Sequence, residues 1–164
     1  MKKILKEKKG EHPFGDTGQL ILFVLFLVVW VVDSFFLHLS TFLSYQIPLS
    51  SRLGLLVLLL IVAILLFRSA HFVASGDQRP ARVVDTGAFR YARHPLYLAS
   101  LLVYFGLSVS TVSFFSLAVF IGIFIFYNYI SSYEEKLLEI KFGDQYIKYK
   151  QKTGKWVPRI GVGH

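Results

Sequence analysis

The chain has 164 residues, of which 54% are hydrophobic and only 17% are charged, and its mean hydropathy is +0.55. This composition excludes a disordered chain and most soluble enzymes, and the absence of cysteine excludes a disulfide scaffold, thiolate metal sites and iron–sulfur clusters. The formal net charge of +8 comes from lysines and arginines that lie between long apolar segments, a placement that favours anionic lipids over nucleic acid as the partner.

The chain begins with a basic arm at positions 1–17, and two apolar segments follow it. The first segment covers 19–39 and contains Asp33, and the second covers 53–73 and contains Arg68 and His71. Each has about the 20 residues that an α-helix needs to cross a bilayer. We therefore predict a membrane helix in each segment.

Between Pro95 and Tyr133 no residue is Asp, Glu, Lys or Arg. A helix over this whole run would be about 58 Å long, too long for one crossing and barely enough for two. We predict a tight helical hairpin whose turn lies in the hydroxyl-rich segment 107–113. The fold class is then all-α, an integral membrane protein of about four transmembrane helices. We expect a single domain over 1–164, with the functional core in 74–164.

Basic residues concentrate in the N-terminal arm, in the connection 74–94 and in the C-terminal tail, whereas the connection between the first two helices has only Arg52. The positive-inside rule then places both termini and the 74–94 connection in the cytoplasm. Because the opposite side carries only short turns, any polar site must lie at the cytoplasmic ends of the helices.

The sequence GAFRYARHPLY at 87–97 leads into the third helix. Pro95 suits the first helical position and puts His94 near the N-cap, where free N–H groups and the positive end of the helix dipole attract a carboxylate or phosphate. Arg93 adds a cation there. The alternative is that Arg93 reaches lipid headgroups and that His94 and Pro95 simply start a helix.

Glu134 and Glu135 follow the uncharged run, where we expect the fourth helix to end. Acids at a helix C-terminus are unfavourable, so one of them is a candidate to bind a cationic group; the alternative is a solvated helix end paired with Lys136. Asp33 is a functional candidate as an acid within a membrane helix, although its depth is interfacial. His71 lies at the cytoplasmic end of the second helix, where it either borders the site or simply packs.

The ordered set RHPxY at 93–97, the Glu pair, FGxxYxxY at 142–149 and VPR at 157–159 resembles the isoprenylcysteine carboxyl methyltransferases, which are grouped with the membrane phospholipid N-methyltransferases. The resemblance covers roughly 69–160. It implies S-adenosylmethionine as cofactor, a lipophilic or amphiphilic acceptor from the membrane, and no metal. The implied cofactor-binding residues are Ala81, Arg82, Val83, Val84, Phe89, His94, Pro95, Leu96, Tyr97 and Glu134. Arg93 and Glu135, which adjoin them, are the candidate catalytic residues.

The chain departs from the family pattern at Ile130, where the prenylcysteine enzymes carry an arginine that meets the substrate carboxylate. A prenylated cysteine is therefore expected to be a poor acceptor, and a neutral or amine acceptor a better one. Two other functions stay open. One is an NADPH-dependent reductase of sterol-like lipids, since those enzymes resemble this family in their C-terminal half, and the other is a small membrane scaffold without enzymatic activity.

Overall fold

The computed structural model describes residues 15–74 and 83–159. Within these ranges the chain is helical, and its only β-type pairing is an isolated bridge between Ala92 and Gly154. Short 3-10 turns lie at Phe42–Tyr45 and Gly87–Arg90. The α-helices are α1 (Gly15–Val31, continued by a π-helical segment, Val32–Leu37), α2 (Leu49–Ala74), α3 (Pro95–Thr111), α4 (Phe114–Phe142) and α5 (Asp144–Lys152).

Three stretches among the described helices are long and apolar enough to cross a membrane: Thr17–Leu37, Leu49–Phe72 and Phe114–Phe142. The remaining apolar helix, α3, has 17 residues and is therefore about 26 Å long, slightly less than the hydrocarbon thickness. The all-α prediction is confirmed. The predicted hairpin is also present, because α3 and α4 are joined directly at Val112 and Ser113.

The fourth helix differs from the prediction at its end. We expected it to stop near Tyr133, but α4 continues without a break to Phe142 and ends at Gly143, which has φ 53°. Glutamate and lysine are good helix formers, so the change from apolar to charged residues does not end the helix. Glu134 and Glu135 consequently lie inside a helix rather than at its C-terminus.

The core lies between α1, α3 and α4, where the buried residues are Phe26, Leu101, Tyr104, Ile123 and Tyr127. Glycines let neighbouring helices approach closely, as is common in membrane bundles. A Cβ on Gly18 would lie 2.3 Å from the ring of Phe126, and a Cβ on Gly106 would lie 3.1 Å from Leu56. A side chain at position 18 would therefore displace the ring of Phe126, whereas one at position 106 needs only a small shift of the Leu56 side chain.

At the end of the bundle that contains the α3–α4 turn, the carboxylate of Asp33 is buried and accepts three hydrogen bonds. The Ser113 hydroxyl donates at 2.6 Å, and the backbone N–H and hydroxyl of Ser40 complete the set. Ser113 also caps α4 by accepting a hydrogen bond from the N–H of Ser116. Asp33, which the sequence predicts to be interfacial and a functional candidate, joins α1 to the hairpin through these hydrogen bonds.

Candidate active site

The two adjacent acids of α4 have different neighbours at the end of the bundle where α3 begins. Successive residues of a helix point about 100° apart, so two neighbouring side chains reach separate surroundings. Glu135 contacts the residues that precede α3 and the chain around α5, whereas Glu134 contacts the first turn of α3. The two carboxylates thus have separate surroundings.

Glu135 forms a buried ion pair with Arg93. Its Oε1 lies 3.0 Å from Nε and 2.9 Å from Nη2 of Arg93, and both side chains are only 6% exposed. Nη1 of Arg93 donates to the backbone carbonyls of Lys150 and Thr153. The guanidinium therefore points into the protein rather than to lipid headgroups, and the partner of Glu135 is Arg93 rather than Lys136.

His94 is the N-cap residue of α3 and is buried between the two acids. Its Nε2 lies 3.3 Å from Oε1 of Glu135, and its Nδ1 lies 3.8 Å from Oε2 of Glu134. Burial lowers the pKa of His94, although the hydrogen bond with Glu135 opposes this shift. Its ring lies parallel to that of Tyr97, with 5.7 Å between the ring centroids.

Glu134 accepts a hydrogen bond of 2.7 Å from the hydroxyl of Tyr97 and keeps 13% of its side chain exposed. Tyr97 lies in the first turn of α3, and its ring contacts that of Tyr127 at 5.1 Å. An acid, a helix N-terminus and several aromatic rings therefore meet in one place. Such a group of residues suits a ligand that combines a cationic group, an anionic group and a flat ring.

The residues after α5 cross α4 beside this cluster, and we name residues 153–157 the strap. The N–H of Arg93 donates to the carbonyl of Gly154 at 3.0 Å, which fixes where the strap begins. Nζ of Lys155 donates to the side-chain and backbone oxygens of Asn128 at 2.9 and 3.0 Å and to Ser132 Oγ at 2.7 Å. The ring of Trp156 lies 6.0 Å from that of His94.

Lys155 and Trp156 are the site residues that sequence reasoning missed. Only a tryptophan within a basic tail signals them in the sequence. Burial lowers the pKa of Lys155. The structure brings its amino group to the uncharged polar residues Asn128 and Ser132 of α4. Ile130, the position of the family's substrate arginine, is fully buried.

The predicted cofactor-binding residues do not all meet in one place. The structure brings His94, Tyr97 and Glu134 together, with Pro95 buried behind them at the first position of α3. Phe89 lies in the 3-10 turn, where its carbonyl accepts a hydrogen bond from the hydroxyl of Tyr149. Of the other predicted cofactor-binding residues, Val83 and Val84 are half-buried and Leu96 is exposed. Ala81 and Arg82 lie outside the described residues. His71, the further candidate at the end of the second helix, is exposed beside Phe67.

The comparisons with known proteins all match methyltransferases. Residues 69–145 match the family model of the phospholipid methyltransferases. The chain is 32% identical over 94 residues to a protein-S-isoprenylcysteine O-methyltransferase of Saccharomyces cerevisiae, a match that covers 56% of this chain and 38% of the yeast protein. It is 27% identical over 159 residues to a methanethiol S-methyltransferase of Crocosphaera subtropica, covering 92% of this chain and 54% of that relative.

These findings confirm the resemblance to the isoprenylcysteine and phospholipid methyltransferases that the motifs indicated. The matched region contains the start of α3 and Glu134, and therefore the cluster described above. The chain spans between a third and about half of the length of these two relatives.

Gly154→Ala is expected to displace the strap, because a Cβ at this position would lie 1.8 Å from the carbonyl oxygen of Val157. Trypsin should then cleave after Lys155 at least roughly tenfold faster, since proteolysis follows the population of the open segment. Mass spectrometry of the C-terminal fragments measures the rate. Gly122→Ala is the control, because a Cβ there meets nothing within 4 Å. Equal cleavage rates in the two variants would contradict this account of the strap.

Proposed function

We propose that the chain is an S-adenosylmethionine-dependent methyltransferase of the membrane that acts on a lipophilic or amphiphilic acceptor. The observation that carries the proposal is the placement of the Glu134 carboxylate beside the N-terminus of α3, among aromatic rings and within the region that matches the phospholipid methyltransferases. The apolar helices bring an acceptor dissolved in the bilayer within reach of this end of the bundle.

The residues fit the proposed cofactor group by group. Glu134 offers a negative charge to its ammonium, and the free N–H groups at the start of α3 offer donors to its carboxylate. Tyr97 and the neighbouring ring of Tyr127 offer aromatic surface to the adenosine. Val83, Val84 and Phe89, which lie apart from this cluster, stay predicted cofactor contacts. When bound, the cofactor supplies an electrophilic methyl group. The chain's own contribution is alignment and exclusion of water, which account for much of the rate of a displacement reaction.

The catalytic role of Arg93 and Glu135 stays a prediction. Because each is already bound by the other inside the protein, we propose that they act as positioning residues. The pair holds the imidazole of His94 through Glu135 and the start of the strap through the carbonyl of Thr153. In this role neither side chain needs to touch the reacting groups.

Glu134→Gln is expected to weaken S-adenosylmethionine binding about 10–150-fold, because it removes a charge-assisted interaction of roughly 1.5–3 kcal/mol. Isothermal titration calorimetry on the purified chain in detergent measures the affinity. Glu139→Gln is the matched control, since it makes the same charge change on the same helix, at a carboxylate that pairs with Lys150. Unchanged affinity in the Glu134 variant would remove this residue from the proposed cofactor site.

The acceptor is proposed to be neutral or an amine rather than a prenylated cysteine carboxylate. Ile130 is buried and apolar, and the nearby cation, Lys155, is engaged by Asn128 and Ser132. A carboxylate brought here would lose its hydration without gaining a free cation, at a cost of several kcal/mol.

Radiolabelled methyl transfer to a farnesylcysteine analogue should accordingly be much slower than transfer to total membrane lipid. The ratio of the two rates for the unaltered chain, measured under identical detergent conditions, checks this expectation. Fast turnover of the farnesylcysteine analogue would show that the chain binds a carboxylate despite Ile130, and the proposed acceptor class would then be wrong.

We also propose that the end of the bundle bearing Glu134 faces the cytoplasm, because the basic segments adjoin it. The chain has no cysteine of its own, so single cysteines report the orientation directly. Lys141→Cys is expected to react with a membrane-impermeant maleimide only from the cytoplasmic side. Tyr45 is 88% exposed, and Tyr45→Cys is expected to react only from the outside. The reverse pattern would invert the proposed topology.

A further inference from the structure

Two cavities meet at the 3-10 turn Gly87–Arg90, and both are lined by Gly87 and Arg90. The first has a volume of about 430 Å³ and is bordered on one side by Val62, Leu65 and Leu66 of α2. The second has a volume of about 710 Å³ and is bordered mainly by polar and charged side chains of α5 and of the segment before the turn. An apolar cavity therefore adjoins a polar one.

The charged groups of the polar cavity favour an anion. Lys148 and Lys152 lie four residues apart on one face of α5, and Arg90 lines the same cavity. Among the described residues of its lining Asp85 is the acidic one, so three cations face one carboxylate, and these described residues carry a net charge of +2. Two neutral polar side chains, Thr86 and Gln145, add further hydrogen-bonding groups.

The two cavities lie at different depths. Val62, Leu65 and Leu66 belong to the apolar stretch Leu49–Phe72, which is long enough to cross the membrane. The charged residues of the polar cavity lie on α5 and on residues 85–90, outside the apolar stretches that qualify as spans. A ligand that fills both cavities must therefore carry a hydrocarbon chain and an anionic headgroup.

We propose that these cavities form a binding site for an anionic phospholipid, with the acyl chain along α2 and the headgroup phosphate against Arg90, Lys148 and Lys152. The site differs from the candidate active site, because neither cavity is lined by His94, Tyr97 or Glu134. Its wall is fixed in place, since the Tyr149 hydroxyl donates to the Phe89 carbonyl at 2.6 Å. A bound lipid links α2 to α5, which carries the strap.

Native mass spectrometry of the full chain in detergent, titrated with dioleoylphosphatidylglycerol or dioleoylphosphatidylcholine, measures lipid binding. The double variant Lys148→Gln/Lys152→Gln should bind phosphatidylglycerol about 30-fold more weakly, which corresponds to roughly 1 kcal/mol for each lysine. Its matched control is Lys136→Gln/Lys141→Gln, which lowers the net charge equally but lies outside both cavity linings. The control should change this affinity by less than about threefold, since distant exposed charges are screened.

If both double variants weakened phosphatidylglycerol binding equally, the effect would come from the overall charge of the protein, and the proposal would be overturned. Val62→Trp tests the apolar cavity. This variant should bind phosphatidylglycerol more weakly and should keep the weak affinity for inorganic phosphate. An unchanged affinity for phosphatidylglycerol would also overturn the proposal. Inorganic phosphate that competes as tightly as the lipid would indicate a plain anion site instead.

Val83 lines the polar cavity and is also a candidate cofactor residue, so S-adenosylmethionine binding is measured in the same variants. Retained cofactor affinity in Lys148→Gln/Lys152→Gln supports a separate lipid site. Lost cofactor affinity in that variant, with the control unaffected, would assign the cavity to the cofactor and overturn the proposal.

Discussion

The end of the bundle that carries the candidate site is organised around the buried ion pair between Arg93 and Glu135. Removing two charges from water is costly, and the cost is recovered only when each charge is fully surrounded by partners. Here those partners come from distant parts of the chain: the carbonyls of Lys150 and Thr153, the imidazole of His94 and the ammonium of Lys150. The start of α3, the middle of α4 and the strap are consequently held in one arrangement.

The neighbouring acid, Glu134, has different surroundings. Glu134 sits one position earlier on α4 and turns toward the first turn of α3, where its contacts are the hydroxyl of Tyr97 and the imidazole edge of His94. The charge of Glu135 is compensated within the protein by Arg93, and its side chain is 6% exposed, whereas the side chain of Glu134 is 13% exposed. Two identical side chains that are adjacent in the sequence thus have different neighbours, because the helix points them in different directions.

The sequence predicted those features that depend on local chemistry. The uncharged run from Pro95 to Tyr133 is too long for one crossing, so a hairpin follows from the helix rise alone. Only the resemblance to the methyltransferase family predicted that His94, Tyr97 and Glu134 lie together. Helix packing brings them into contact from positions almost 40 residues apart in the sequence. The extension of α4 to Phe142 was missed because hydropathy marks where a span ends and not where a helix ends.

The contacts made by the strap could not be predicted from the sequence. The path from Gly154 to Trp156 depends on a backbone turn that leaves no room for a side chain at Gly154, and local pattern does not reveal it. The contact between Asp33 and Ser113 could not be predicted from local pattern either, since the two residues are 80 positions apart in the sequence. That distance has a consequence for biogenesis. When the ribosome delivers the first helix to the membrane, Ser40 is the nearest source of hydrogen bonds for its buried acid, and the second source is synthesised only with the hairpin. A nascent chain that stops short of the hairpin thus lacks the Ser113 hydroxyl as a donor to the Asp33 carboxylate.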